Sequence, residues 1–329
     1  MPDQVTAVTI VGAGIMGQGF AHLLASSGLT VQLVDTSLSR ASQGRDAVAD
    51  SLATAVRAGC CTPDAVRPAL DRIHPTDDLP GAVTKADFVL EAVTERMETK
   101  QAVWQAVGQA ARPETVLATN TSSYDVNSFA GLVPEPGRML GTHWYNPPQI
   151  VPCVEVIPAE TTSPETIQWT CGFLARLGKD PAVCRSVPGF VGNRIQFAMI
   201  SEAFRCLEEG VATAADIDRI VRGSFGFRLG LYGPFQVGDL NGLDTYLAVY
   251  DYLEAQYGAD RFRAPGLLRE LAAEGRLGLK TAGGVYDYTP DEARRISGER
   301  DARLWAALRG GPQEPVQARP DEAEDQVTD

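Results

Sequence analysis

The chain has 329 residues, enough for two domains at ordinary domain sizes, with 44% hydrophobic residues and a formal charge of −13. No apolar run reaches the roughly 18 residues of a membrane span, and an acidic chain without a Lys/Arg run is a poor partner for nucleic acid or anionic membranes. The six cysteines, at 60, 61, 153, 171, 184 and 206, show no C-x-x-C or Cys/His ligand spacing, so free thiols are expected and no metal.

The opening residues, MPDQVTAVTIVGAG, lack a basic start and a cleavage site and lead straight into a strand, so the expected compartment is the cytoplasm. Short, largely apolar runs at 7–12 (AVTIVG), 30–35 (TVQLVD), 88–92 (FVLEA) and 115–120 (TVLATN) suit strands buried on both faces of a parallel sheet. Helical periodicity intervenes at 15–27, 37–58 and 97–111, and this alternation predicts an α/β domain with a Rossmann-type doubly wound sheet. Further strands are expected at 137–144, 151–158 and 181–185, with a helix over 163–178.

After SVPGF (186–190) the strand signals almost vanish. Segments 191–210, 214–223, 235–257 and 265–275 are amphipathic and separated by Gly or Pro. The expected division is therefore a dinucleotide-binding domain over 1–187, an all-helical domain over 188–310, and a disordered, acidic, Pro-rich tail over 311–329.

VTIVGAGIMGQG supplies Gly12-x-Gly14-x-x-Gly17 directly after a strand and at the start of a helix. Gly12 allows the tight turn, Gly14 lets the backbone approach a pyrophosphate, and Gly17 lets helix and strand pack closely; Ile15 and Met16 complete the turn. The second strand ends at Asp35, where such folds place the acid that accepts from a ribose hydroxyl. Asp35 would repel a 2′-phosphate, so NAD is expected as the cofactor, with Arg40 the one residue that complicates a choice against NADP. FAD is the rival nucleotide, but nothing later in the chain resembles a flavin domain; a strand-turn-helix glycine loop without ligand is the remaining alternative.

Of the three histidines, His22 falls inside the first helix and His74 beside a proline in an expected loop. His143 stands at a strand end, where the ligand crevice of a doubly wound sheet lies. If 137–144 and 151–158 are neighbouring strands joined through NPPQ, Glu155 comes beside the imidazole, and a carboxylate there would fix the tautomer and offset the imidazolium charge. The alternative is a strand-end His and a half-buried Glu that merely satisfy each other.

GAGIMGQG, NTSS (120–123), GTHWYNP (141–147), VEVI (154–157), PGFVGNR (188–194), GPFQVGDLNGLD (233–244) and GLKTAGGVYDY (278–288) together resemble the NAD-dependent L-3-hydroxyacyl-CoA dehydrogenase family, from residue 5 to about 290. The resemblance implies that His143 is the general base and Glu155 its partner. It implies that Ser122 and Asn193 hold the substrate's reacting oxygen and the imidazole. Glu95 and Lys100 would contact the nicotinamide ribose side, Asn146 and Lys280 would be further cofactor contacts, and the helical domain would form a homodimer. Structurally, Asn193 could instead cap a helix, and Glu95 and Lys100 could be an exposed helix pair.

One segment departs from the pattern. Acyl-CoA members carry a short Gly-x-x-x-Met-Gly-Pro link before the GPF helix, whereas this chain has GSFGFRLGLYGPF (223–235), which includes Arg228. That segment, with HWYNPP, is more similar to the branch acting on free small acids, of the L-gulonate (lambda-crystallin), carnitine and pyridine-carboxylate types. An Arg fork binds a carboxylate through two parallel charge-assisted bonds, so Arg228 is a candidate substrate residue, with a surface or interface ion pair as the alternative. The leading expectation is reversible hydride transfer between NAD and a 3-hydroxy/3-oxo acyl group; the second is oxidation of a small free hydroxy acid. A non-enzymatic, crystallin-like role is the third, and Ser122, His143, Glu155 and Asn193 occurring together argue against it.

Overall fold

The computed structural model describes residues 5–310, and the tail expected over 311–329 lies outside the described residues. The chain forms two compact units that divide between Ser201 and Glu202.

The first unit is built on eight strands: β1 (Ala7–Val11), β2 (Thr30–Val34), β3 (Ile73–Thr76), β4 (Phe88–Glu91), β5 (Val116–Thr119), β6 (Met139–Trp144), β7 (Cys153–Pro158) and β8 (Asp180–Val183). They make one sheet in the order β3-β2-β1-β4-β5-β6-β7-β8. Neighbours are parallel except β6 and β7, which pair antiparallel, so β7 and β8 run against the first six strands. The order of the first six is that of a doubly wound dinucleotide-binding fold.

Its helices are α1 (Ile15–Ser26), α2 (Leu38–Arg57), α3 (Pro63–Asp71), α4 (Leu79–Val83), α5 (Met97–Ala110), α6 (Asn127–Ala130) and α7 (Pro164–Arg176), and α8 (Gly192–Glu208) crosses the division. Two hydrophobic cores explain why the central strands are largely apolar. On one side Val8, Ile10, Leu33 and Leu90 pack with Phe20, Leu24, Leu52 and Phe173 from α1, α2 and α7. On the other, Val11, Val89 and Leu117 pack with Trp104, Val107 and Phe129 from α5 and α6. Side chains that alternate along a strand feed both cores, so a polar residue inside a strand needs a partner, as the Thr9 hydroxyl has in the Ala82 carbonyl at 2.9 Å. Helix starts carry their own stops: Ser37 accepts from the Arg40 amide and Ser163 from that of Thr166.

His74 lies in β3 and not in a loop. The strand is at the sheet edge, where the missing N–H of Pro75 can be tolerated.

The second unit is helical: α9 (Ala214–Gly223), α10 (Phe225–Leu229), α11 (Pro234–Asn241), α12 (Leu243–Tyr257), α13 (Ala259–Phe262), α14 (Gly266–Ala273) and α15 (Pro290–Gly310). The single helix expected over 235–257 is two, because Gly242 turns the backbone to φ +96° between α11 and α12. Asp239 on α11 is buried and accepts from the amides of Val285 and Tyr286 and from the Tyr288 hydroxyl, at 3.0, 3.1 and 2.9 Å. These bonds tie the VYDY turn to α11. Among the described residues, no helix is long and apolar enough to cross a membrane.

Candidate active site

The glycine turn leaves β1 at Gly12, whose φ is +110°; a Cβ there would stand 2.5 Å from the Ala92 carbonyl oxygen. At Gly17 a Cβ would meet the Gly12 carbonyl oxygen at 1.8 Å, whereas Gly14 has nothing within 4 Å. The first and third glycines are therefore demanded by packing, and the second faces open space at the N-terminus of α1. No side chain caps that terminus, so its amides are available to an anion. Ile15 is 73% exposed beside the turn.

Asp35, just past β2, accepts from the Ala13 amide at 2.9 Å and from Arg40 Nε at 2.8 Å. Burial opposes its ionisation, but the amides of Ala13 and Thr36, the Thr36 hydroxyl and Arg40 together hold the carboxyl below its ordinary range. Gly12, Gly14, Asp35, Arg40 and Val93 line a cavity of about 330 Å³. An open helix terminus beside an ionised acid fits the pyrophosphate and adenosine ribose of a dinucleotide.

Lys100 is fully buried, with Nζ 2.7 Å from Glu91 and 3.1 Å from Glu95. Glu91, at the end of β4, was not singled out from the sequence; it also accepts from the Val93 amide and the Thr119 hydroxyl. Glu95 accepts from the Thr121 hydroxyl at 2.5 Å and the Ser122 amide at 2.9 Å, which anchors the NTSS turn. Burial works against its charge, yet Lys100 and these hydrogen bonds keep its carboxyl below the usual range.

His143 and Glu155 are directly opposed in the antiparallel β6/β7 pair. Nδ1 of His143 lies 2.7 Å from Glu155 Oε2, with both residues buried. An ionised carboxylate only accepts, so Nδ1 carries the hydrogen and Nε2 is left as the nitrogen that can take a proton. Glu155 Oε1 accepts from the amides of Val191 and Gly192, at 3.0 Å each. The Tyr145 hydroxyl donates to Oε2 at 2.8 Å. Burial opposes the charge, but the donors, His143 first, bring the carboxyl down to about 2. Asn193 Nδ2 donates to the Ser122 carbonyl at 2.9 Å, joining the start of α8 to the NTSS turn.

His143, Glu155, Ser122, Asn193, Glu95 and Lys100 thus fall into one connected region of the first unit. Asn146 is exposed in the turn after β6 and makes no side-chain hydrogen bond among the described residues. Lys280 and Arg228 belong to the second unit. Lys280 Nζ is 2.5 and 2.6 Å from the two oxygens of Asp244, and Arg228 lies on α10. Sequence reasoning missed Tyr145 and the Val191 and Gly192 amides as partners of Glu155. The only signal was their place inside HWYNPP and PGFVGNR.

Two family models match the chain: the 3-hydroxyacyl-CoA dehydrogenase NAD binding domain over residues 7–187 and the C-terminal domain over 189–288. A probable 3-hydroxybutyryl-CoA dehydrogenase of Deinococcus radiodurans is 37% identical over 279 residues, covering 85% of this chain and 99% of that protein. The 5-formyl-3-hydroxy-2-methylpyridine 4-carboxylate 5-dehydrogenase of Mesorhizobium japonicum is 33% identical over 305 residues, covering 92% of this chain and 97% of that one. A solved 3-hydroxyacyl-CoA dehydrogenase from Archaeoglobus fulgidus superposes with a TM-score of 0.75 at 32% identity, covering 93% and 98% of the two chains.

Proposed function

The chain belongs to the 3-hydroxyacyl-CoA dehydrogenase family and is an NAD-dependent dehydrogenase acting on a CH–OH group; from that premise we propose that it interconverts a 3-hydroxy and a 3-oxo acyl group with a His143/Glu155 dyad. The observation that carries this reading is the 2.7 Å bond that commits Nδ1 to Glu155 and frees Nε2. His143 takes the hydroxyl proton at Nε2, and Glu155 offsets the imidazolium charge; in reduction the same nitrogen returns the proton. NAD, when bound, supplies the hydride acceptor. Ser122 and Asn193, tied together at 2.9 Å, orient the reacting oxygen. Gly12, Gly14, Ile15, Met16, Gly17 and Asp35 hold the pyrophosphate and adenosine end, Glu95 and Lys100 serve the nicotinamide ribose side, and Asn146 and Lys280 are further cofactor contacts.

In this reading residues 1–187 bind the cofactor and 188–310 serve substrate binding and homodimerisation, in a cytoplasmic enzyme. Exposed Phe204, Ile220, Val249 and Leu267 on the helical unit support a contact with a second copy.

A second reading, a small free acid as substrate, is favoured by Arg228. It makes no ion pair among the described residues, and it shares a cavity of about 190 Å³ with Tyr232 and with Arg300 and Asp301, which pair with each other. The Tyr232 hydroxyl is buried without a hydrogen-bond partner, and a carboxylate held by Arg228 is an acceptor that could meet it. The Mesorhizobium relative is named for a pyridine carboxylate.

The test follows NADH oxidation with acetoacetyl-CoA against a panel of free 3-oxo acids. Turnover of the thioester alone supports the acyl-CoA reading, and turnover of free acids alone supports the carboxylate reading. His143→Ala should keep NADH binding while lowering turnover by the roughly 100- to 10,000-fold of a lost general base. Unchanged turnover would remove the dyad.

A further inference from the structure

His143 does not have Glu155 Oε2 to itself. The Tyr145 hydroxyl donates to the same oxygen at 2.8 Å, against 2.7 Å for His143 Nδ1. The two rings lie side by side, with centroids 4.9 Å apart. The phenol's position is built into the backbone: a Cβ on Gly192 would stand 1.6 Å from the Tyr145 oxygen. Glycine at the first position of α8 therefore gives the hydroxyl its space, and the amide of that same glycine holds the other carboxylate oxygen at 3.0 Å.

Two donors on one carboxylate oxygen compete for its charge. When His143 is protonated, Oε2 can strengthen its hold on the imidazolium only to the extent that the phenol has not already drawn on that oxygen. A base that must both accept and return a proton is served by a partner that supports the charged form without trapping it. We propose that Tyr145 is a positioning residue that acts on His143 through Glu155 Oε2, holding the carboxylate in place and limiting how strongly it supports the protonated imidazole.

The other groups around the dyad leave this competition undisturbed. On β7, Cys153 is raised by burial and then by Glu155; after β8, Cys184 is pushed up to about 11 by the same two causes, with Sγ 3.9 Å from Glu155 Oε1. Both thiols are neutral at working pH. Phe190 packs 5.5 Å from the imidazole and carries no charge. Tyr145 itself is raised by burial and by Glu155, so it stays a donor throughout.

The inference rests on the reading of His143 as the general base. It is tested with Tyr145→Phe in the full-length enzyme, by the pH profile of kcat/KM for alcohol oxidation, with NADH affinity as the check on folding. Without the competing donor the imidazolium persists to higher pH, so the acid limb should move up by about half a pH unit or more while NADH affinity is kept. A lower plateau rate with an unmoved limb, or a limb moved downward, would overturn the role of Tyr145. The same profile on the residual activity of His143→Ala separates the two ideas. If the acid limb survives there, the general-base reading has failed; if it vanishes there and is unmoved in Tyr145→Phe, only the Tyr145 inference has.

Discussion

Glu155 is nearly enclosed, and an enclosed carboxylate without partners would be neutral at pH 7. Here the imidazole, two amides and a phenol all point hydrogens at it, and the carboxyl is held at about 2 against an ordinary 4.5. A depressed carboxyl contributes stability that is complete above 4.5 and is lost as the pH falls through that window towards 2. Melting temperatures of the wild type should therefore drop between about pH 5 and pH 3, and drop less in Glu155→Gln, which has no proton to take up. An equal drop in both would mean that other carboxylates govern acid stability. The pairing with His143 could be anticipated from the sequence, because antiparallel register needs only two strands and a short turn. Tyr145 could not, since its hydroxyl reaches Glu155 only through a loop conformation and a glycine 47 positions further along the chain, at 192.

Between β4 and α5, Lys100 spans from a helix to the end of a strand and meets Glu91 and Glu95 with its side chain fully enclosed. Read along the chain, Glu95 and Lys100 look like a surface helix pair of small energetic value. Glu95 in fact precedes α5, and the pair is joined by Glu91, whose carboxylate is also fully buried. Lys100→Met should thus destabilise by about 3–5 kcal/mol, the cost of leaving a buried carboxylate without its cation, read as a lower urea midpoint. A loss of less than about 1 kcal/mol would indicate that Thr119 and the Val93 amide suffice to hold Glu91. Element boundaries were legible where one force dominates, as in the apolar strands β1, β4 and β5. They were not where two compete: Ile73–Thr76 contains a His and a Pro yet joins the sheet through backbone pairing with β2. The pattern over 235–257 runs on through Gly242, but the backbone breaks there.

At the scale of the molecule, the topology explains why so much chemistry is gathered in one place. Strands β1, β2, β4, β5 and β6 are mutually parallel, so Gly12, Asp35, Glu91, Asn120 and His143 all fall at the same carboxyl edge of the sheet. That edge is where a doubly wound sheet binds its ligand. The chain carries a charge of −13, and the carboxyl of Asp35 is held below its ordinary range, with Arg40 already engaged by it. A 2′-phosphate would have to approach Asp35 and compete for Arg40, whereas a 2′-hydroxyl can donate to the carboxylate. Ligand binding to the folded state stabilises by mass action, by about 2.7 kcal/mol at a hundredfold excess over Kd, which for a domain of this size amounts to several degrees. NADH should therefore raise the melting temperature by several degrees, and NADPH at the same concentration should raise it far less. In Asp35→Ser, with the repelling carboxylate gone and Arg40 released, the difference between the two cofactors should narrow. Equal shifts from NADH and NADPH in the wild type would mean that Arg40 already serves the phosphate and that Asp35 does not select the cofactor.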